Sequence, residues 1–185
     1  MKIVAVLGSP RPNGNSALMA QAFLETARER GADTEVYLLN QMDIKGCQGC
    51  GQCKSESEVC VVEDDLTPVY DAVRGADILV MASPVYFGDL SAQLKCFWDR
   101  TYAFVNPDFS SRLAPGKKSV MLLSQGAAAE EMFNDIHPRY ERWLKMFGFV
   151  ENYVVRAVGV QGAGEIKDKP GVLDQARDLA RELVR

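Results

Sequence analysis

Asp77-Ile78-Leu79-Val80-Met81-Ala82 is the stretch on which the fold turns. Every position after the first is apolar, so both faces of the segment seek cover. A strand covered on both faces belongs inside a parallel sheet with helices packed above and below. The flanks agree. Upstream, Asp64 or Asp65 can cap a helix running to Arg74, with Pro68 in its early part and Gly75 after it. Downstream, Ser91–Ala103 has helical periodicity through Leu94, Phe97 and Trp98.

The alternation extends to both ends. Lys2–Leu7 reads as a strand, Asn15–Arg30 as a helix stopped by Gly31, and Asp33–Leu39 as a strand. Beyond the central stretch, Ser119–Leu123 is a strand, Glu130–Phe147 a helix, Tyr153–Val160 a strand and Gly171–Val184 a helix. Five strands alternating with five helices predict one α/β domain over residues 1–185, a five-stranded parallel sheet with helices on both faces. Ligands bind such sheets at the carboxyl ends of the strands, where the strand order reverses. The loops after the first, third and fourth strands are therefore the candidate sites.

The composition narrows the function. A chain of 185 residues, 47% hydrophobic and 25% charged, suits one globular domain. Lys and Arg number 21 against 25 Asp and Glu, a formal net charge of −4, which argues against a nucleic-acid partner. The N-terminal apolar run stops at Gly8, far short of the roughly 20 residues of a bilayer span. The expectation is a cytoplasmic chain with no membrane partner. In that compartment five cysteines point to metal, cluster or redox chemistry rather than to a disulfide framework.

The first loop reads Gly8-Ser9-Pro10-Arg11-Pro12-Asn13-Gly14-Asn15-Ser16 and leads into a helix. Backbone N–H groups at a helix start attract an anion, and the helix dipole adds to the attraction. Ser9, Asn13, Asn15 and Ser16 offer hydrogen bonds and Arg11 a charge. No Gly-Lys-Ser/Thr closes the loop and no GxGxxG is present, which disfavours a nucleoside triphosphate or a Rossmann-bound dinucleotide. The bland alternative is a polar loop with Asn15 as a plain helix cap. After the third strand, Ser83-Pro84-Val85-Tyr86-Phe87-Gly88 combines a stiff Pro, two aromatic rings and a Gly that admits close backbone approach. Its alternative is core packing by Val85 and Phe87. The fourth strand ends in the small polar turn Ser124-Gln125-Gly126.

Two of these blocks, GSPRPNGNS and SPVYFGDLSAQLKCFWDR (Ser83–Arg100), resemble the signatures of the NADPH-dependent FMN reductase family. The resemblance implies a flavodoxin-like three-layer sandwich with strand order 2-1-3-4-5. It implies FMN as cofactor and NAD(P)H as co-substrate, with Pro84, Val85, Tyr86, Phe87 and Gly88 around the flavin ring. Ser124, Gln125 and Gly126 would lie beside the ring or ribityl chain. It also implies a homodimer or homotetramer with the flavin near an interface. No Ser/His/Asp set or HExxH motif can be assembled, and none is required, because hydride chemistry belongs to the flavin N5. The single histidine, His137, reads as a helix-surface or capping residue, and Glu63-Asp64-Asp65 as a helix start rather than a metal site.

Cys47, Cys50, Cys53 and Cys60 form C-x2-C-x2-C-x6-C among glycines 46, 49 and 51. Three thiols at this spacing suit a cuboidal iron–sulfur cluster and a fourth can close it. Zinc more often uses paired CxxC arms further apart. The alternative is a loop of free thiols. The set resembles the compact cysteine motif of iron–sulfur flavoproteins, a branch of the same family, and that resemblance implies [4Fe-4S] ligation by these four residues. Cys96 lies mid-helix and reads as core. Three functions remain in view. One is an FMN oxidoreductase passing electrons from NAD(P)H to a flavin, quinone or other small-molecule acceptor. The second relays electrons from a ferredoxin-like donor through a cluster and FMN. The third is a redox-sensing module.

Overall fold

A computed structural model describes Met1–Arg185. The strands are β1 (Lys2–Leu7), β2 (Asp33–Leu38), β3 (Ile78–Tyr86), β4 (Asp89–Leu90), β5 (Lys117–Ser124) and β6 (Phe149–Ala157). The helices are α1 (Asn15–Glu29), α2 (Gln52–Ser55), α3 (Thr67–Gly75), α4 (Ala92–Arg100), α5 (Ile136–Met146) and α6 (Pro170–Leu183). Strands β2-β1-β3-β5-β6 lie in that order, all parallel, while the two-residue β4 pairs antiparallel with the end of β3. The five parallel strands thus follow the expected order. The added β4 makes six, so the fourth and fifth parallel strands are β5 and β6.

Side-chain alternation divides the apolar residues between two cores, as a sheet with period two requires. Ile3, Ala5, Ile78, Val80, Val120 and Leu122 face one core, shared with Phe23 of α1 and Ala176 of α6. Val4, Val6, Leu79, Met81, Met121 and Leu123 face the other, shared with Val69 of α3, Leu94 of α4 and Leu144 of α5. No helix is long and apolar enough to cross a membrane.

Several expected boundaries move, each for a local reason. The helix foreseen over Glu130–Phe147 begins only at Ile136. Arg156 donates to the carbonyls of Glu130 (3.1 Å) and Met132 (2.6 Å), and Phe133 adopts a left-handed backbone with φ 62°, so residues 130–135 wind as turns. The last strand runs over Phe149–Ala157 rather than Tyr153–Val160, because the Val160 N–H turns back to the Gln125 carbonyl at 2.9 Å. Helix α4 ends at Arg100 and continues as a tighter turn over Thr101–Phe104. Asp64 and Asp65 do not cap α3. Their carboxylates accept the N–H groups of Lys45 (2.8 Å) and Asp43 (2.7 Å) and anchor the preceding loop. His137 is half-buried near the start of α5, its Nε2 without a partner, and burial pushes its pKa down.

Candidate cofactor sites

At the carboxyl edge of the sheet lies a cavity of about 330 Å³. The first loop contributes Ser9, Arg11, Asn15 and Ser16 to its wall, the end of β3 contributes Pro84, Val85 and Tyr86, and the end of β5 contributes Ser124 and Gly126. Gly14, Val160 and Gln161 also line it, and sequence reasoning missed all three as site residues. The last two come from the turn after β6, where composition alone carries no binding signal.

The start of α1 is built for an anion. Its first turn has no acidic side chain and no side-chain cap. Ser16 is buried and its Oγ has no hydrogen-bond partner. Leaving a buried hydroxyl unpaired costs about 1–3 kcal/mol, so an acceptor or donor brought by a ligand has an evident place. Arg11 reaches the Gln161 carbonyl at 3.3 Å, a long bond it can release. A Cβ on Gly14 would sit 2.5 Å from Ser9 Oγ and 3.0 Å from the Arg11 carbonyl, so this turn closes tightly only with glycine. These features fit a phosphate group.

Other members of the expected set also serve the scaffold or lie outside the cavity wall. Asn15 donates to the carbonyls of Gly162 (2.9 Å) and Val160 (3.4 Å) and accepts from the Ile166 N–H (3.1 Å), so its amide ties α1 to the turn before α6. Gln125 is buried, donates to the Ala127 and Ala129 carbonyls, and accepts from Arg156. Asn13 is exposed and lies outside the cavity wall. Phe87 and Gly88 form the two-residue turn of the β3–β4 hairpin, with φ 49° and 89°. Positive φ at both positions defines a type I′ turn, which glycine accepts freely and phenylalanine does not. The Phe87 ring projects fully into solvent and Tyr86 is half-exposed beside the cavity mouth.

The four spaced cysteines share a second cavity, of about 230 Å³. No three His, Cys, Asp or Glu side chains converge where a single ion would sit. The thiols nonetheless feel one another. Burial pushes the Cys53 thiol pKa up, the Lys54 charge pulls it down, and Cys60, Cys50 and Cys47 push it up. All five cysteines are free. Cys96 is half-buried on α4, its Sγ 4.0 Å from where a Cβ on Gly46 would lie. The donor set is four thiols around one space larger than a mononuclear site, which fits a multinuclear cluster.

Cationic side chains hold this loop in shape. Arg112 donates to the carbonyls of Cys53 (2.8 Å), Glu58 (3.0 Å) and Ala103 (3.2 Å). Arg100 donates to the Val62 (2.7 Å) and Lys45 (3.1 Å) carbonyls and pairs with Asp64. Lys54 reaches the Tyr102 and Val105 carbonyls, with its ammonium 3.9 Å from the Tyr102 ring centre. The two cavities lie at opposite ends of α4. Ser91, at its start, hydrogen-bonds to the Gly8 carbonyl at 2.7 Å, whereas Arg100, at its end, lines the cysteine cavity. Ser91 and Arg100 lie nine residues apart, on the order of 13 Å along the helix axis.

Comparison with known proteins gives consistent neighbours. The family described as NADPH-dependent FMN reductase matches residues 1–157. A protein of Methanosarcina thermophila named iron-sulfur flavoprotein is 31% identical over 150 residues, covering 81% of this chain and 76% of its own. An iron-sulfur flavoprotein of Methanocaldococcus jannaschii is 34% identical over 137 residues, covering 74% and 70%. Among solved structures, an NAD(P)H:quinone oxidoreductase of Methanothermobacter marburgensis superposes with TM-score 0.81 at 21% identity, over 100% of this chain and 96% of that one. An FMN-dependent NADH-azoreductase of Bacillus anthracis, solved with FMN, superposes over 100% of both chains with TM-score 0.75 at 14% identity.

Proposed function

Because the chain belongs to the NADPH-dependent FMN reductase family, we propose that the cavity at the carboxyl edge holds one FMN and that the protein is an NAD(P)H-dependent flavin or quinone-type reductase. The observation that carries this reading is the buried, unpartnered Ser16 Oγ at the start of α1, in a cavity that the ring loop also lines. Backbone N–H groups at that helix start, with Ser16 and Arg11, would hold the FMN phosphate. Pro84, Val85 and Tyr86 would hold the isoalloxazine, and Ser124 and Gly126 line the same cavity. FMN, when bound, supplies hydride acceptance at N5. The chain's own residues would bind and orient it, so no side-chain acid or base is assigned.

Arg11→Ala tests the phosphate assignment. A charge-assisted contact is worth about 1.5–3 kcal/mol, so FMN binding should weaken roughly 10- to 150-fold while riboflavin binding stays unchanged. Ser16→Ala should likewise weaken FMN alone, with little effect on the apoprotein because no bond is lost there. Equal losses for FMN and riboflavin, measured by fluorescence titration, would remove the phosphate from this corner.

Tyr86→Ala tests the ring face. The Tyr86 side chain is half-exposed and its hydroxyl makes no hydrogen bond, so the apoprotein should melt within about 2 °C of wild type. The flavin absorption spectrum and midpoint potential should shift. A large drop in apoprotein melting temperature with an unchanged flavin spectrum would assign Tyr86 to packing.

The cysteine cavity favours a second, compatible feature. Four thiols line one space, and relatives of 31% and 34% identity carry the name iron-sulfur flavoprotein. We read Cys47, Cys50, Cys53 and Cys60 as ligands of a [4Fe-4S] cluster, which would supply one-electron exchange with a ferredoxin-like partner.

A further inference from the structure

Arg100 is the most deeply buried charge in the protein. Its side chain is 0% exposed and that of its partner, Asp64, 3%. The guanidinium uses its two terminal nitrogens on Asp64 and on the carbonyls of Lys45 and Val62. Its third nitrogen, Nε, is buried and has no acceptor at all. A buried, charged N–H without an acceptor is costly, and native interiors rarely leave one so. Arg100 also forms part of the wall of the cysteine cavity. Cys60 lines the same cavity, so its sulfur and the guanidinium border one space.

We propose that Arg100 is a positioning residue of the cysteine site. Its free Nε–H donates to a sulfur, that of Cys60 or a sulfide beside it, when a cluster is in place, and its buried charge favours the reduced cluster. The inference rests on the cluster reading of the four cysteines. A cluster held by thiolates is an anion and gains negative charge on reduction. Its potential is set in part by nearby charge and by hydrogen bonds to its sulfurs, and a buried guanidinium with a donor to spare acts on both. The Arg100–Asp64 pair then has a use beyond stability. Asp64 holds the guanidinium in place, and the carbonyls of Lys45 and Val62 fix it to both arms of the cysteine loop.

The test uses full-length protein reconstituted anaerobically with iron and sulfide, in which arginine carries ¹⁵N at Nε. The reduced wild-type protein should show a weak ¹⁵N coupling to the cluster by electron–nuclear double resonance. Arg100→Lys, which keeps the charge and loses Nε, should lose that coupling. Arg100→Gln should load iron and FMN but shift the cluster midpoint to more negative potential, with the FMN midpoint unchanged. An iron-loaded wild type without ¹⁵N coupling overturns the inference and leaves the cluster reading standing, and this arm needs no variant to fold. Loaded Arg100→Gln with an unmoved cluster midpoint overturns it as well. A wild type that takes up no iron after reconstitution overturns both, and FMN content in the same sample shows that the protein was intact.

Discussion

Replacing any one of Cys47, Cys50, Cys53 or Cys60 by Ser should cost the anaerobically reconstituted protein most of its iron and acid-labile sulfide while FMN stays bound. The four act as one set because they line one cavity, and a missing thiolate opens an iron site to solvent and exchange. FMN is spared because no residue of the cysteine cavity also lines the carboxyl-edge cavity proposed for FMN. Cys96→Ser is the control. Its thiol, on α4 near Gly46, does not line the cavity, and the substitution should leave iron unchanged. Iron assays on the five variants decide the matter. Full iron retention in all of them would return the cysteines to a loop of free thiols, and with it the second feature of the proposed function.

The other large effect concerns stability. Asp64→Ala removes the sole carboxylate paired with Arg100 and strands a buried charge. Such a change costs about 3–5 kcal/mol, which urea unfolding of the apoprotein should read as a lower midpoint at an unchanged slope. The wild-type pair also gives acid sensitivity of a defined sign. Burial raises the Asp64 pKa, but Arg100 and the N–H groups of Lys45 and Leu66 outweigh it and hold the carboxyl below its ordinary value of 3.8. A depressed carboxylate contributes fully above its unfolded pKa and loses that contribution as pH falls through the folded one. The stability gap between wild type and Asp64→Ala should therefore be constant above about pH 5 and close below about pH 4. A gap that does not narrow in acid would show that the lost stability is packing rather than charge.

The interior of the sheet was legible because β1, β3 and β5 are buried on both faces and announce themselves as apolar runs. The edge strand β6 was harder. Val150 and Val154 point outward and are exposed, so the apolar signal thins at its start and the boundary slips by four residues. The hairpin was hidden for another reason. A type I′ turn is usually read from Asn-Gly or Asp-Gly, and here Phe87 occupies the first left-handed position, against its own preference. At the carboxyl-edge cavity, residue types alone could nominate Ser9, Arg11, Asn15 and Ser16, which line it. They could not foresee that Asn15 and Gln125, equally polar, are occupied by backbone carbonyls. The cysteine spacing was plain, but the arginines that shape its loop, at positions 100 and 112, lie far along the chain and carry no local signal.

Asn15 joins distant parts of the chain. Through three hydrogen bonds it fastens the start of α1 to residues 160–166, just ahead of α6, which itself packs along α1. The amide protons of this N-terminal helix start and those of the C-terminal turn should therefore become exposed in the same opening event, as one cooperative unit. Occupancy of the phosphate corner would then slow hydrogen exchange at Ile166, more than 150 positions along the chain from Ser9, whereas Asn15→Ala would let the two ends exchange at separate rates. A segment beyond residue 157, where the family match stops, is thus tied through Asn15 to the start of α1.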